Sequence, residues 1–106
     1  MICAEFYTTP EGSLLGFSIS GHSGWGKDGS DIVCAAVSSA AFLVANTLTD
    51  ILNVGAEVSA RDGEMEVRIA EKDAGRCRDL LAGFKLHMVG LEEEYPRNIN
   101  VSYTEV

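Results

Sequence analysis

The sequence predicts an α+β fold: one two-layer domain over residues 1–106, in the order β-β-α-β-β-α-β, with a largely antiparallel sheet packed against two helices. Three observations lead there. Two turn signals, "PEG" and Asp62-Gly63, each separate short runs that alternate or are rich in β-formers. A long, Ala-rich apolar stretch runs from Asp31 to Leu52. A second stretch carries apolar residues at spacings of three and four. With 106 residues, 46% of them hydrophobic, the chain has room for one core and no second domain.

"ICAEFYTT" and "SLLGFSIS", on either side of "PEG", read as the first hairpin. Gly21 to Ser30 holds four glycines, Gly21, Gly24, Gly26 and Gly29, and reads as a flexible loop. Asp31 to Leu52 reads as a helix closed by Asn53 with Gly55 just beyond. It is apolar nearly all round, so burial on more than one side is expected. "AEVSAR" and "EMEVRI" form the second hairpin, with Val58, Ala60, Met65, Val67 and Ile69 on the core face. The stretch from Asp73 to Tyr95 carries Cys77, Leu80, Leu81, Phe84, Met88 and Leu91 on one helical stripe and ends before Pro96. "INVSYTEV" closes the chain as a last strand.

Lys and Arg number 8 and Asp and Glu 16, a net charge of −8. That balance argues against nucleic-acid binding, which needs clustered cations, and favours a basic partner or a simply soluble surface. The three cysteines, Cys3, Cys34 and Cys77, contain no CxxC pair, so reduced thiols in the cytoplasm fit better than disulfides or structural zinc. The N-terminus has no basic leader. The longest apolar run is broken by Ser38, Ser39 and Asn46, and no membrane association is expected.

Within "GHSGWGKDGSDIVCAAVSSAAF", Cys34 falls in the first turn of the predicted helix. Unpaired amides and the positive end of the macrodipole favour an anion there, which suits a thiolate nucleophile. The competing reading is a small buried hydrophobe. His22, twelve residues earlier, is either the proton acceptor for that thiol or an exposed loop histidine. Asp31 either orients His22 or caps the helix, and a carboxylate so close opposes thiolate formation. Ser38, one turn after Cys34, either donates a hydrogen bond in the site or packs with its hydroxyl bonded back to the helix. Trp25 is a contact for a substrate or a residue tucked against the sheet. Asp28 and Ser30 are further candidate caps. Cys3 and Cys77 are expected on core faces. His87 is expected at the surface, and Glu92, Glu93 and Glu94 at a solvated helix end.

"SGHSGWGKDGSDIVCAAVSSA" resembles the signature of the ribosomal-processing cysteine protease Prp family: a Gly-His pair, a variable loop, then Gly-x-Asp-aliphatic-Val-Cys followed by small residues and Ser. Gly21 and His22 match the first element; Gly29, Asp31, Val33, Cys34 and Ser38 match the second. Length, opening hairpin, helix after the cysteine and final strand also fit. The resemblance implies a cysteine endopeptidase with Cys34 as nucleophile and His22 as general base and acid, without metal or organic cofactor. It implies a basic ribosomal precursor as substrate, large-subunit ribosomal protein twenty-seven with an N-terminal extension, and a homodimer. The substrate loop would comprise Gly21, Ser23, Gly24, Trp25, Gly26, Gly29 and Ser30. Ser23 stands where the family often has alanine, and Trp25 and Gly26 give the loop its own composition. Amides at the start of the Cys34 helix would hold the oxyanion. A non-catalytic, acidic ribosome-associated binding module is the alternative, and a thiol-based redox or thioester enzyme a third reading.

Overall fold

A computed structural model describes residues 1–21 and 31–106 of the chain. Five strands form one sheet in the order β3-β4-β2-β1-β5: β1 Ile2–Thr8, β2 Leu14–Gly21, β3 Glu57–Arg61, β4 Glu64–Arg68 and β5 Ile99–Glu105. Two helices join them, α1 Ile32–Asn46 and α2 Ala74–Glu94. The β1/β2, β2/β4 and β3/β4 pairs are antiparallel; β1/β5 is parallel. The β-β-α-β-β-α-β order and the largely antiparallel sheet are those the sequence predicts.

The pleat of β1 sends Ile2, Ala4 and Phe6 into the core, and all three are buried. Phe6, Phe17 of β2 and Phe84 of α2 form the aromatic centre, with ring centroids 4.6 to 6.2 Å apart in tilted pairs. Cys77, Leu81, Phe84 and Met88 give α2 its buried stripe at the expected spacing, with Leu80 and Leu91 partly buried beside it. On the opposite face of the sheet the Tyr7 hydroxyl donates to Glu66 at 3.2 Å, the Arg68 guanidinium stacks 4.7 Å above the Tyr7 ring, and Thr104 donates to Glu5. Gly16 sits where β2 and β4 meet closely: a Cβ there would lie 2.0 Å from the Val67 carbonyl oxygen.

Several expectations need correction. α1 is buried on one side only: Val33, Val37, Ala41, Val44 and Ala45 face the core, whereas Phe42 and Leu43 are 49% and 66% exposed. A two-layer fold covers a helix from the sheet side, and nothing in the described residues covers the other face of α1. The helical run does not stay α-helical to Leu52. It passes after Asn46 into a π-helical turn, Thr47–Ile51, in which Leu52 N–H donates to the Thr47 carbonyl at 2.8 Å. Asn53, at φ 54°, then ends it in the left-handed region. Ile32–Ile51 is, contrary to expectation, long and apolar enough by length and composition to cross a membrane; its inward stripe and Leu48 lie in this core. Val58 and Ala60 lie on the expected face, opposite the buried Val67 and Met65, yet are exposed, because β3 is the edge strand. Cys3 is exposed because it alternates with the buried Ile2 and Ala4. Glu92 is not merely solvated: it accepts the Val101 N–H at 2.7 Å, tying α2 to β5.

Candidate active site

Asp31 is the N-cap of α1. Its backbone is extended (φ −78°, ψ 103°), and one carboxylate oxygen accepts the N–H groups of Val33 and Cys34, each at 3.0 Å. Three of the first-turn amides are thereby engaged, since Ala35 N–H donates to the Asp31 carbonyl at 3.1 Å. The cap predicted at Asp31 is present, and it has a chemical consequence. The amides of Val33 and Cys34, expected to receive an oxyanion, already serve a carboxylate. A developing negative charge at Cys34 must therefore displace that carboxylate or find other donors.

Cys34 is the third residue of α1 and is partly buried. It lines a cavity of about 200 Å³ with Val37, Ser38, Ala41 and Phe42 of the same helix. These positions share one side of the helix because 34, 38, 41 and 42 recur at spacings of three and four. The facing wall is the sheet end: Ile19 and Met65, paired across β2 and β4, with Ile2 beside them. The β3–β4 turn, Arg61 to Glu64, forms the rim. The walls are thus mainly apolar and the rim charged, which suits an apolar side chain on a polar backbone.

Gly21 ends β2 at the mouth of this cavity. Its φ is +86°, its N–H donates to the Gly63 carbonyl at 3.0 Å, and a Cβ would lie 2.3 Å from the Met1 carbonyl oxygen. Only glycine meets both the dihedral and the close approach, so Gly21 is required at the end of β2. His22, Ser23, Gly24, Trp25, Gly26, Asp28, Gly29 and Ser30 lie outside the described residues. Of the predicted site residues, the structure brings Gly21, Cys34 and Ser38 around one cavity, with Asp31 bonded to the amide of Cys34.

The other thiols differ in setting. Cys77 is fully buried, and burial, reinforced by the nearby Asp73 carboxylate, pushes its pKa above the usual thiol value. Cys3 is free and exposed. His87 is exposed on α2, as expected. No group of three or more His, Cys, Asp or Glu side chains among the described residues is placed to hold a metal ion. Sequence reasoning missed the wall formed by Ile2, Ile19 and the β3–β4 turn. The Asp62-Gly63 signal located the turn, yet only the strand order brings it opposite the start of α1.

The fold and site define a small α+β protein with a thiol at a capped helix start, opening into a mainly apolar cavity. Residues 1–100 match the family model described as cysteine protease Prp, and the chain belongs to that family. It is 26% identical over 105 residues to the ribosomal processing cysteine protease Prp of Staphylococcus aureus, covering 97% of this chain and 99% of that one. The crystal structure of the essential S. aureus ribosomal processing protease Prp, covalently linked to a product peptide, superimposes with a TM-score of 0.90 at 25% identity, covering 98% of this chain and all of that one. A crystal structure of a Streptococcus mutans protein gives a TM-score of 0.78 at 27% identity, covering all of this chain and 96% of that one.

Proposed function

We propose that this chain is a cysteine endopeptidase that removes the N-terminal extension of large-subunit ribosomal protein twenty-seven in the cytoplasm. The observation that carries this reading is the placement of Cys34, partly buried at the start of α1 and lining an apolar cavity, in a member of a cysteine protease family. The S. aureus relatives, named for ribosomal processing and crystallised with a product peptide, support the substrate class.

Cys34 Sγ, as thiolate, attacks the scissile carbonyl carbon, and the carbonyl π electrons move to oxygen. His22 carries the proton taken from the thiol and delivers it to the leaving amine as the C–N bond breaks. Water, deprotonated by His22, then attacks the thioester and releases the acid and the thiol. Asp31 holds the first turn of α1, and Ser38 supplies a hydroxyl to the same cavity. Gly21, Ser23, Gly24, Trp25, Gly26, Gly29 and Ser30 are assigned to contacts with the peptide substrate. The net charge of −8 attracts a basic precursor. The protein works as a homodimer, a reading supported by the exposed apolar side chains Leu43 and Ile51 of the Ile32–Ile51 run.

The test is incubation with the N-terminally extended ribosomal protein from the same genome, read by mass spectrometry. The wild type removes the extension, while Cys34→Ala and His22→Ala leave it intact with unchanged melting temperatures. Full activity in either variant would falsify the dyad. A stable complex without cleavage, insensitive to alkylation, would instead establish the acidic binding module.

A further inference from the structure

The hydrogen-bond phase of the sheet identifies which peptide groups of its free edge remain open. Between β2 and β4, Gly21 N–H donates to the Gly63 carbonyl at 3.0 Å and Ile69 N–H to the Leu15 carbonyl at 2.9 Å. These bonds fall at either end of a continuous register that pairs Phe17 with Val67 and Ile19 with Met65. Bonded and non-bonded pairs alternate in an antiparallel ladder, so Met65 and Val67 turn their peptide groups toward β2. Glu64, Glu66 and Arg68 therefore turn theirs toward β3, where they face Arg61, Ser59 and Glu57. Val58 and Ala60 are left with N–H and C=O directed off the edge.

β3 is a terminal strand, all five of its residues are exposed, and no described residue bonds to the peptide groups of Val58 or Ala60 from outside the sheet. Their side chains lie opposite Val67 and Met65, both buried, so they point toward the helix side. Ala60 lines the same cavity as Cys34. The other free edge, β5, lies at the far side of the sheet.

We propose that an extended polypeptide substrate docks by strand addition on β3, bonding to the peptide groups of Val58 and Ala60. An added strand lies about 4.8 Å from its neighbour and points alternate side chains to one face. On β3, the set facing the helices enters the space between Ala60 and Phe42, next to Cys34. Backbone pairing supplies affinity for any extended chain, and the cavity selects an apolar side chain. At the rim Asp62 and Glu64 outnumber the single cation Arg61, which favours a basic neighbour on the peptide.

This inference rests on the peptidase reading, and one experiment separates the two. The probe is a synthetic peptide spanning the junction between extension and mature start of ribosomal protein twenty-seven. Amide exchange is followed by NMR in the Cys34→Ala protein with saturating peptide. The amides of Val58 and Ala60 gain protection, whereas those of Glu57, Ser59 and Arg61, already bonded to β4, do not change. In cleavage by otherwise native protein, Val58→Pro raises KM roughly fivefold to tenfold, the loss of a backbone donor, with kcat little changed. Proline with its ring nitrogen facing outward is tolerated on an edge strand. Val58→Ala, which keeps the amide, keeps the peptide-induced protection at position 58; loss of that protection would overturn strand addition. Cleavage by wild type without new protection at Val58 and Ala60 overturns strand addition and leaves the peptidase standing. Protection without cleavage supports strand addition and overturns the peptidase. Neither binding nor cleavage overturns both.

Discussion

Asp31 acts on Cys34 in two opposite ways. Its carboxylate satisfies the Val33 and Cys34 amides and so holds the helix start in place. The same negative charge disfavours a thiolate three residues away and occupies donors an oxyanion would use. The two effects separate by mutation. Asp31→Ala loses the cap and about 0.5–2 kcal/mol of stability, visible as a lower melting temperature. Asp31→Asn keeps most of the cap but not the charge, so iodoacetamide labels Cys34 faster at neutral pH than in wild type; an unchanged rate would mean the carboxylate exerts no field on the sulfur. Labelling also ranks the thiols: Cys34 ahead of exposed Cys3, with Cys77 inert until unfolding. Gly21 is the other residue set by local physics. Gly21→Ala forces a Cβ against the Met1 carbonyl oxygen at positive φ, costing about 1–3 kcal/mol by urea denaturation.

Among the elements, α2 and β4 were legible from spacing, because each has one buried stripe or face and the pattern records it. Phe84 belongs to that stripe and to the aromatic centre. Phe84→Ala costs about 3–5 kcal/mol, a loss that calorimetry detects, since it removes contacts with both Phe6 and Phe17. The burial of α1 and of β3 was misjudged for a shared reason, although the face that β3 turns to the helices was read correctly. Composition reports what a segment tolerates, and only its neighbours decide what is covered. α1 is apolar on faces no described residue covers, and β3 alternates like a core strand although it stands at the edge. Cys3 was placed in the core for the same kind of reason: a strand's period is readable, but which half of it faces inward depends on the layer laid over it.

For the whole molecule, charge and titration give the measurable signatures. A protein of net charge −8 that meets a basic precursor loses kcat/KM as salt rises, with kcat less affected. Salt-independent kcat/KM would remove any role for steering. Alkaline stability follows from Tyr7 and Cys77. Burial raises both pKa values, for Tyr7 with Glu66 adding to the effect against a lowering hydrogen bond from Ser18. A raised native pKa means the folded state holds its proton longer than the unfolded chain. The stabilisation is complete below the ordinary values, 9.0 for the thiol and 10.0 for the phenol, and is lost as pH climbs through the native ones. The urea midpoint therefore declines above pH 9, and Cys77→Ala removes the early part of that decline.

The sequence by itself determined the element order, both turns, the α2 stripe, the Asp31 cap and the position of Cys34 in a helix's first turn. Each of these is local, fixed by residues within a few positions of one another. Tertiary structure alone decided that the β3–β4 turn stands across from Cys34, that the edge of β3 borders the same cavity, and that one side of α1 is left uncovered by the described residues. Those facts depend on strand order and layer coverage, which bring together residues separated by the length of a helix and leave no periodic trace along the chain.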